Sequence, residues 1–143
     1  MASLIDHVFL NVANVKRSLA FYQKVLAPLG ITGPLEWEAK GAHPNHPIVY
    51  GFGRANRHFL WIKLGSVHSP SHFGLACKSE KEVDTCYEIA IREGARPDEV
   101  YGGSPSLRPY YGIEYYAGSI LDPDGNEVEF TYKKSQHPSP GTD

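Results

Sequence analysis

Two imidazoles and one carboxylate stand out by where they recur. His7 lies in the run Ile-Asp-His-Val-Phe-Leu-Asn-Val (5–12), and His72 opens His-Phe-Gly-Leu-Ala-Cys (72–77). Glu129 lies in Glu-Val-Glu-Phe-Thr-Tyr, near the end of the chain. Taken singly, a histidine at a strand start is ordinarily a surface residue, and a glutamate opposite a core position is ordinarily solvated. Taken together, two histidines and a carboxylate are a set that binds a divalent ion and leaves coordination positions open. The chain carries no Ser-His-Asp order, no P-loop and no G-x-G-x-x-G.

The elements that must position these residues follow from periodicity. Residues 5–12 place Val8, Leu10 and Val12 at period two, a strand with one face on the core. Asn14 caps a following helix whose apolar stripe is Val15, Leu19, Tyr22, Val25, Leu26 and Leu29. Pro28 and Gly30 end it. Residues 31–47 read as a long loop with at most a short strand near 35–38. Strands are predicted at 48–52, 58–64 and 72–77. Ser79 and Glu82 form a capping box that opens a second helix, with Val83, Cys86, Tyr87, Ala90 and Ile91 on one face. Residues 97–112 read as a loop with at most a short strand. Strands at 115–121 and 127–132 are joined by Asp-Pro-Asp-Gly-Asn (122–126), a hairpin turn. It is not a calcium loop, because the glycine comes too early and no helices flank it.

The order is β-α-β-β-β, twice. A shift of sixty-five residues lays His7 on His72, Leu10 on Leu75, Asn14 on Ser79 and Tyr22 on Tyr87. A shift of sixty-eight lays Leu60 and Ile62 on Val128 and Phe130. The expected fold is α+β: two βαβββ modules forming a curved mixed sheet around a cleft. One domain covers 1–132, with modules at about 4–66 and 70–132 and a disordered polar tail over 133–143. Alternation puts His7, His72, Glu129 and Trp61 on the faces opposite the core.

Composition narrows the class. At 41% hydrophobic and 21% charged residues the chain reads as a soluble globule. A net charge of −2 argues against a nucleic-acid face, and no apolar run is long enough for a membrane span. The start shows no secretion signal, and two cysteines make no disulfide scaffold, so a reduced, cytoplasmic location is expected. Cys77 and Cys86 fall on core faces, as buried thiols.

His7-Val8, Asn11-Val12, Arg17-Ser-Leu-Ala-Phe-Tyr22 and Leu26, with the closing Leu121-Asp-Pro-Asp-Gly-Asn-Glu-Val-Glu129, resemble the vicinal oxygen chelate superfamily. Its members include glyoxalase I, bleomycin-resistance proteins and extradiol dioxygenases. The likeness spans about residues 4–132. It implies metal ligands at His7, His72 and Glu129 and one divalent ion (Fe, Mn, Zn, Ni or Co). It implies isomerase, lyase or dioxygenase chemistry on vicinal oxygens of a small organic substrate. The alternative it leaves is a metal-free, antibiotic-binding protein of the bleomycin-resistance type. Trp61 stands where glyoxalase I has a further ligand, so a four-ligand glyoxalase I is not implied. Ser119 stands where extradiol dioxygenases carry a tyrosine, and is placed with the substrate-binding residues.

Tyr116 and Glu127 are the candidate proton-transfer groups beside Glu129. Tyr110, Tyr111 and Tyr115 form either a cleft wall or loop packing. Phe9, Phe59 and Trp61 form an apolar cleft wall or a subunit interface. Arg108 is either a clamp for an anionic substrate group or an exposed loop residue. His43, His46, His58 and His68 read as surface residues. A homodimer is expected, since pairing modules covers an apolar sheet face.

Overall fold

The computed structural model describes residues 4–42 and 44–137. His43 and residues 138–143 lie outside the described residues. The chain divides into two units, 1–69 and 70–143.

Unit one runs β1 (Val8–Val12), α1 (Val15–Val25), a 3-10 turn, β2 (Thr32–Trp37), β3 (Val49–Arg54) and β4 (Arg57–Leu64). Its sheet order is β1-β4-β3-β2, with β1 parallel to β4. Asn14 caps α1, its Oδ1 accepting from the Arg17 N–H at 3.0 Å. The buried stripe of α1 is Ser18, Phe21, Tyr22 and Val25. Val15 and Leu19, expected on that stripe, are only half-buried; the small Ser18 takes the central place instead. The loop expected over 31–47 begins with a full strand, β2. One face of the sheet buries Leu10, Val12, Phe52, Leu60 and Ile62.

Unit two repeats the plan with β5 (His72–Ala76), α2 (Glu80–Arg92), the two-residue strands β6 (Arg96–Pro97) and β7 (Ser106–Leu107), then β8 (Tyr115–Leu121) and β9 (Glu127–Lys133). The order is β5-β9-β8-β6, with β5 parallel to β9 and β7 also on β8. Ser79 Oγ accepts from the Glu82 N–H at 3.0 Å, so both helices are capped at equivalent repeat positions. The register repeats as well: Val8 faces Leu60 in unit one, and Phe73 faces Val128 in unit two. The core holds Val83, Cys86, Ala90, Ile120, Val128 and Phe130. Phe73 and Leu75 of β5 are only half-buried.

Residues 133–137, expected as part of a disordered tail, hold regular backbone bonds. Lys133 ends β9, and the backbone N–H of His137 returns to the Lys133 carbonyl at 2.7 Å. The remainder of that expectation falls outside the described residues. Among the described residues, no helix is long and apolar enough to cross a membrane.

Candidate metal and substrate site

In unit two the site is assembled by the 122–126 turn. Gly125 adopts φ +85°, which glycine takes without strain, and its N–H closes on the Asp122 carbonyl at 2.9 Å. Asp122 Oδ1 accepts from the N–H groups of Asp124 and Asn126, both at 2.9 Å. Asn126 Oδ1 then accepts from the Ser71 N–H at 2.9 Å, and the Glu127 N–H donates to the Ser71 carbonyl at 2.8 Å. This pins the start of β5 beside the start of β9. His72 therefore faces Glu127, and Gly74 faces Glu129.

His72 Nδ1 lies 2.6 Å from Glu127 Oε2 and donates to it. That bond leaves Nε2 with a free lone pair when the ring is neutral. Nε2 lies 4.0 Å from Glu129 Oε2, beyond hydrogen-bond range. Tyr101 packs edge-on against the imidazole at 4.5 Å. Glu129 is 6% exposed, not solvated as a carboxylate on an open sheet face would be. Its Oε1 accepts from the Tyr115 hydroxyl and from Thr131 Oγ1, the latter at 2.7 Å. Tyr115 is pushed up to about 12, by burial first and then by its bond to the Glu129 carboxylate. At neutral pH it is an O–H donor. These groups open on a cavity of about 270 Å³, which also reaches Lys133 and His137.

Tyr116, the expected proton-transfer tyrosine, points the other way. Its hydroxyl donates to Asp84 Oδ1 on α2 at 2.6 Å, on the core side of the sheet. Successive strand residues alternate faces, so Tyr115 and not Tyr116 shares the Glu129 face. Two further expectations are corrected here. Arg108 is 2% exposed, and its Nη2 donates to the carbonyls of Gly103, Ser104 and Ala117. Through Nη2 it pins the 103–108 loop to β8, while its Nε is buried without a hydrogen-bond partner, so the side chain is neither an exposed loop residue nor open to solvent. Ser119 is 1% exposed and donates to the Tyr101 carbonyl at 3.2 Å, so it holds the turn that covers His72 and is sealed from any ligand.

In unit one, His7 Nδ1 lies 2.6 Å from Asp6 Oδ1 and donates to it, which also lowers the Asp6 carboxyl. Here too Nε2 is the nitrogen left to bind. The His7 ring stands edge-on to Phe9 at 5.5 Å, and Phe9 stacks on Trp61 at 6.5 Å. The indole of Trp61 lies against Gly51, where a Cβ would meet ring carbons at 2.8 Å. A groove of about 470 Å³ runs over these rings, walled by Leu35, Trp37, His46, Val49 and His58. Phe59 does not line it. A register shift at Phe52/Gly53 re-aims the strand and brings His58 against Trp61 at 5.8 Å.

Sequence reasoning missed Thr131, Tyr101, Trp37 and His58. Thr131 was open to detection, since it lies two residues from Glu129 on one strand face. Tyr101 and Trp37 arrive through loop and strand-pairing geometry that no local pattern carries. Among the described residues, no cluster of three or more His, Cys, Asp or Glu side chains forms a metal cage.

A repeated βαβββ unit, with a histidine at or just before the start of each first strand and a buried glutamate in the last, defines a class of two-module α+β proteins. The Glyoxalase/Bleomycin resistance protein/Dioxygenase superfamily model matches residues 4–130, and the chain belongs to that superfamily. No curated protein matches it. Solved structures do. A glyoxalase/bleomycin resistance protein from Albidiferax ferrireducens T118 is similar at a TM-score of 0.65 and 23% identity, over 91% of this chain and 98% of that one. The genomically encoded fosfomycin resistance protein FosX from Listeria monocytogenes is similar at 0.64 and 18%, over 92% and 94%. A glutamate-to-glutamine mutant of FosX, complexed with Mn(II) and 1S,2S-dihydroxypropylphosphonic acid, is similar at 0.62 and 19%, over 92% and 93%. At these identities the likeness establishes the fold.

Proposed function

We propose that this chain is a divalent-metal-dependent enzyme acting on a small organic substrate through two neighbouring oxygens. His72 and Glu129 are two of the ligands, and His7, the repeat counterpart of His72, is the third. The supporting observation is that His72 Nε2 and Glu129 Oε2 face each other unbonded at 4.0 Å, while each side chain is fixed from behind. His72 Nε2 and Glu129 Oε2 would hold a divalent ion between them once drawn closer together. The carboxylate behind each histidine is the arrangement that orients ligating imidazoles. A bound ion supplies Lewis acidity toward vicinal oxygens, common to isomerase, lyase and dioxygenase chemistry. Glu127 and Asp6 keep the Nδ1 protons and so direct both Nε2 lone pairs. Tyr115 holds its proton and aligns Glu129. Tyr101 shields one side of His72 from water.

The test is elemental mass spectrometry on protein purified without tags or chelators, beside His72→Ala. About one ion per chain is expected, and the variant is expected to lose it. Iron or manganese directs the reading toward oxygen chemistry, and zinc, nickel or cobalt toward isomerase or lyase chemistry. A chain that stays empty after each ion is added back overturns the proposal.

The aromatic groove favours a second reading, capture of a small molecule without metal. Both tryptophans of the chain line it, with Trp37 55% exposed. Intrinsic fluorescence therefore reports on the groove directly. On this second reading, phenol quenches the tryptophans with an affinity that EDTA leaves unchanged. Quenching that weakens with chelator counts against it.

A further inference from the structure

Glu129 presents its two oxygens very differently. Oε1 receives two hydroxyl protons, from Tyr115 and from Thr131. A carboxylate oxygen has about two lone-pair sites, so Oε1 is saturated within the protein. Oε2 alone is turned toward His72. The carboxylate is 6% exposed, so rotation that offers Oε1 instead would cost both hydroxyl bonds, and the Thr131 hydroxyl, itself 7% exposed, would have little water to replace its bond.

We propose that Tyr115 and Thr131 are positioning residues that restrict Glu129 to binding a metal ion through one oxygen. This rests on the reading of Glu129 as a ligand. The consequence concerns the space around the ion. A glutamate free to bind through both oxygens fills one more coordination position than a glutamate held to one. With two histidines and a one-oxygen carboxylate, a six-coordinate ion keeps roughly three positions for substrate and water; with a two-oxygen carboxylate it keeps roughly two. The two hydroxyls thus reserve one position for the second oxygen of a substrate that binds through a vicinal pair.

The probe is Mn(II) alone, bound to the full chain at saturation, with water-proton relaxation reading the number of exchangeable water positions on the ion. The variants are Thr131→Val, which removes one hydroxyl at nearly constant shape, and Thr131→Val with Tyr115→Phe. The double variant is expected to show about one third fewer water positions than the wild type, the single variant an intermediate value, and Thr131→Ser the wild-type value. A purely structural role would weaken Mn(II) binding and leave the water count at saturation unchanged; that result overturns the inference. The single variant keeps the test decisive if the double variant does not fold. A wild-type chain that binds no Mn(II) overturns the ligand reading itself, which separates the two failures.

Discussion

The Glu129→Gln substitution is expected to lower divalent-metal affinity by at least about 100-fold while the chain stays folded. Loss of a group that merely orients a ligand already costs roughly 10–100-fold, so loss of a charged ligand sits at or beyond the upper end. Folding is spared because the glutamine carbonyl can accept both hydroxyl protons that Oε1 accepts now, from Tyr115 and Thr131. The neutral amide nitrogen is left facing His72 and cannot ligate. The same substitution has a signature that needs no metal. Tyr115 stands at about 12 because burial and the Glu129 carboxylate both oppose its ionisation. Removing the charge takes away the Coulombic opposition of the carboxylate and leaves burial and the hydrogen bond to the side-chain oxygen. The Tyr115 titration is therefore expected to move down toward, without reaching, the ordinary value of 10.0. Isothermal titration with Mn(II) checks the affinity. Phenolate absorbance, taken as a difference against Tyr115→Phe, checks the titration. Unchanged metal affinity would remove Glu129 from the ligand set, and an unmoved tyrosine would show that burial and the hydrogen bond, not the carboxylate charge, hold its proton.

Phe130→Ala is expected to cost about 3–5 kcal/mol of stability, the range for emptying a fully buried aromatic position. Phe130 is 0% exposed, faces Leu75 on β5 and Gly118 on β8, and lies on the side of the sheet that packs on α2. Against a total stability of roughly 5–15 kcal/mol, that loss leaves the protein marginal at best. The effect should reach function as well. Glu129 precedes Phe130 on the strand, and its aim depends on β9 lying flat between β5 and β8. The urea midpoint followed by circular dichroism measures the loss. A shift equivalent to less than about 1 kcal/mol would mean that β9 is not part of the cooperative core, contrary to its burial pattern.

Much of the fold was legible in the sequence because its signals are local. Period-two alternation located β1, β4, β8 and β9 to within a few residues, and Asn14 and Ser79 marked both helix starts. The turn at 122–126 carried its mechanism in its residue types. Strand pairing was not read from the sequence, but it follows the repeat: equivalent residues face each other in the two parallel pairs. Less legible were β2, in a stretch broken by glycine and proline, and the short strands β6 and β7. Two residues of strand carry no periodicity to detect.

The site was legible in part. That His72 and Glu129 share a face follows from alternation plus pairing, and both were singled out. Tyr115 needed one more count along β8: it lies four residues from Ser119, which pairs with Glu129, whereas Tyr116 lies three away and faces α2. Arg108, Ser119 and Phe59 could not be assigned in this way. Alternation states which face a side chain leaves from, but not what later folds over that face. The 98–108 segment crosses the sheet in unit two and turns an apparent clamp into a buried pin for three carbonyls. A register shift in unit one puts His58 where Phe59 was expected. By itself, then, the sequence determined the elements, their repeat and the faces of the chemistry-bearing residues, because these depend on neighbours a few positions away. Only the tertiary structure decided which of those residues stay open to a ligand. Exposure depends on which distant segment covers a face, and the strength of that covering is set by hydrogen bonds and packing between residues far apart in the chain.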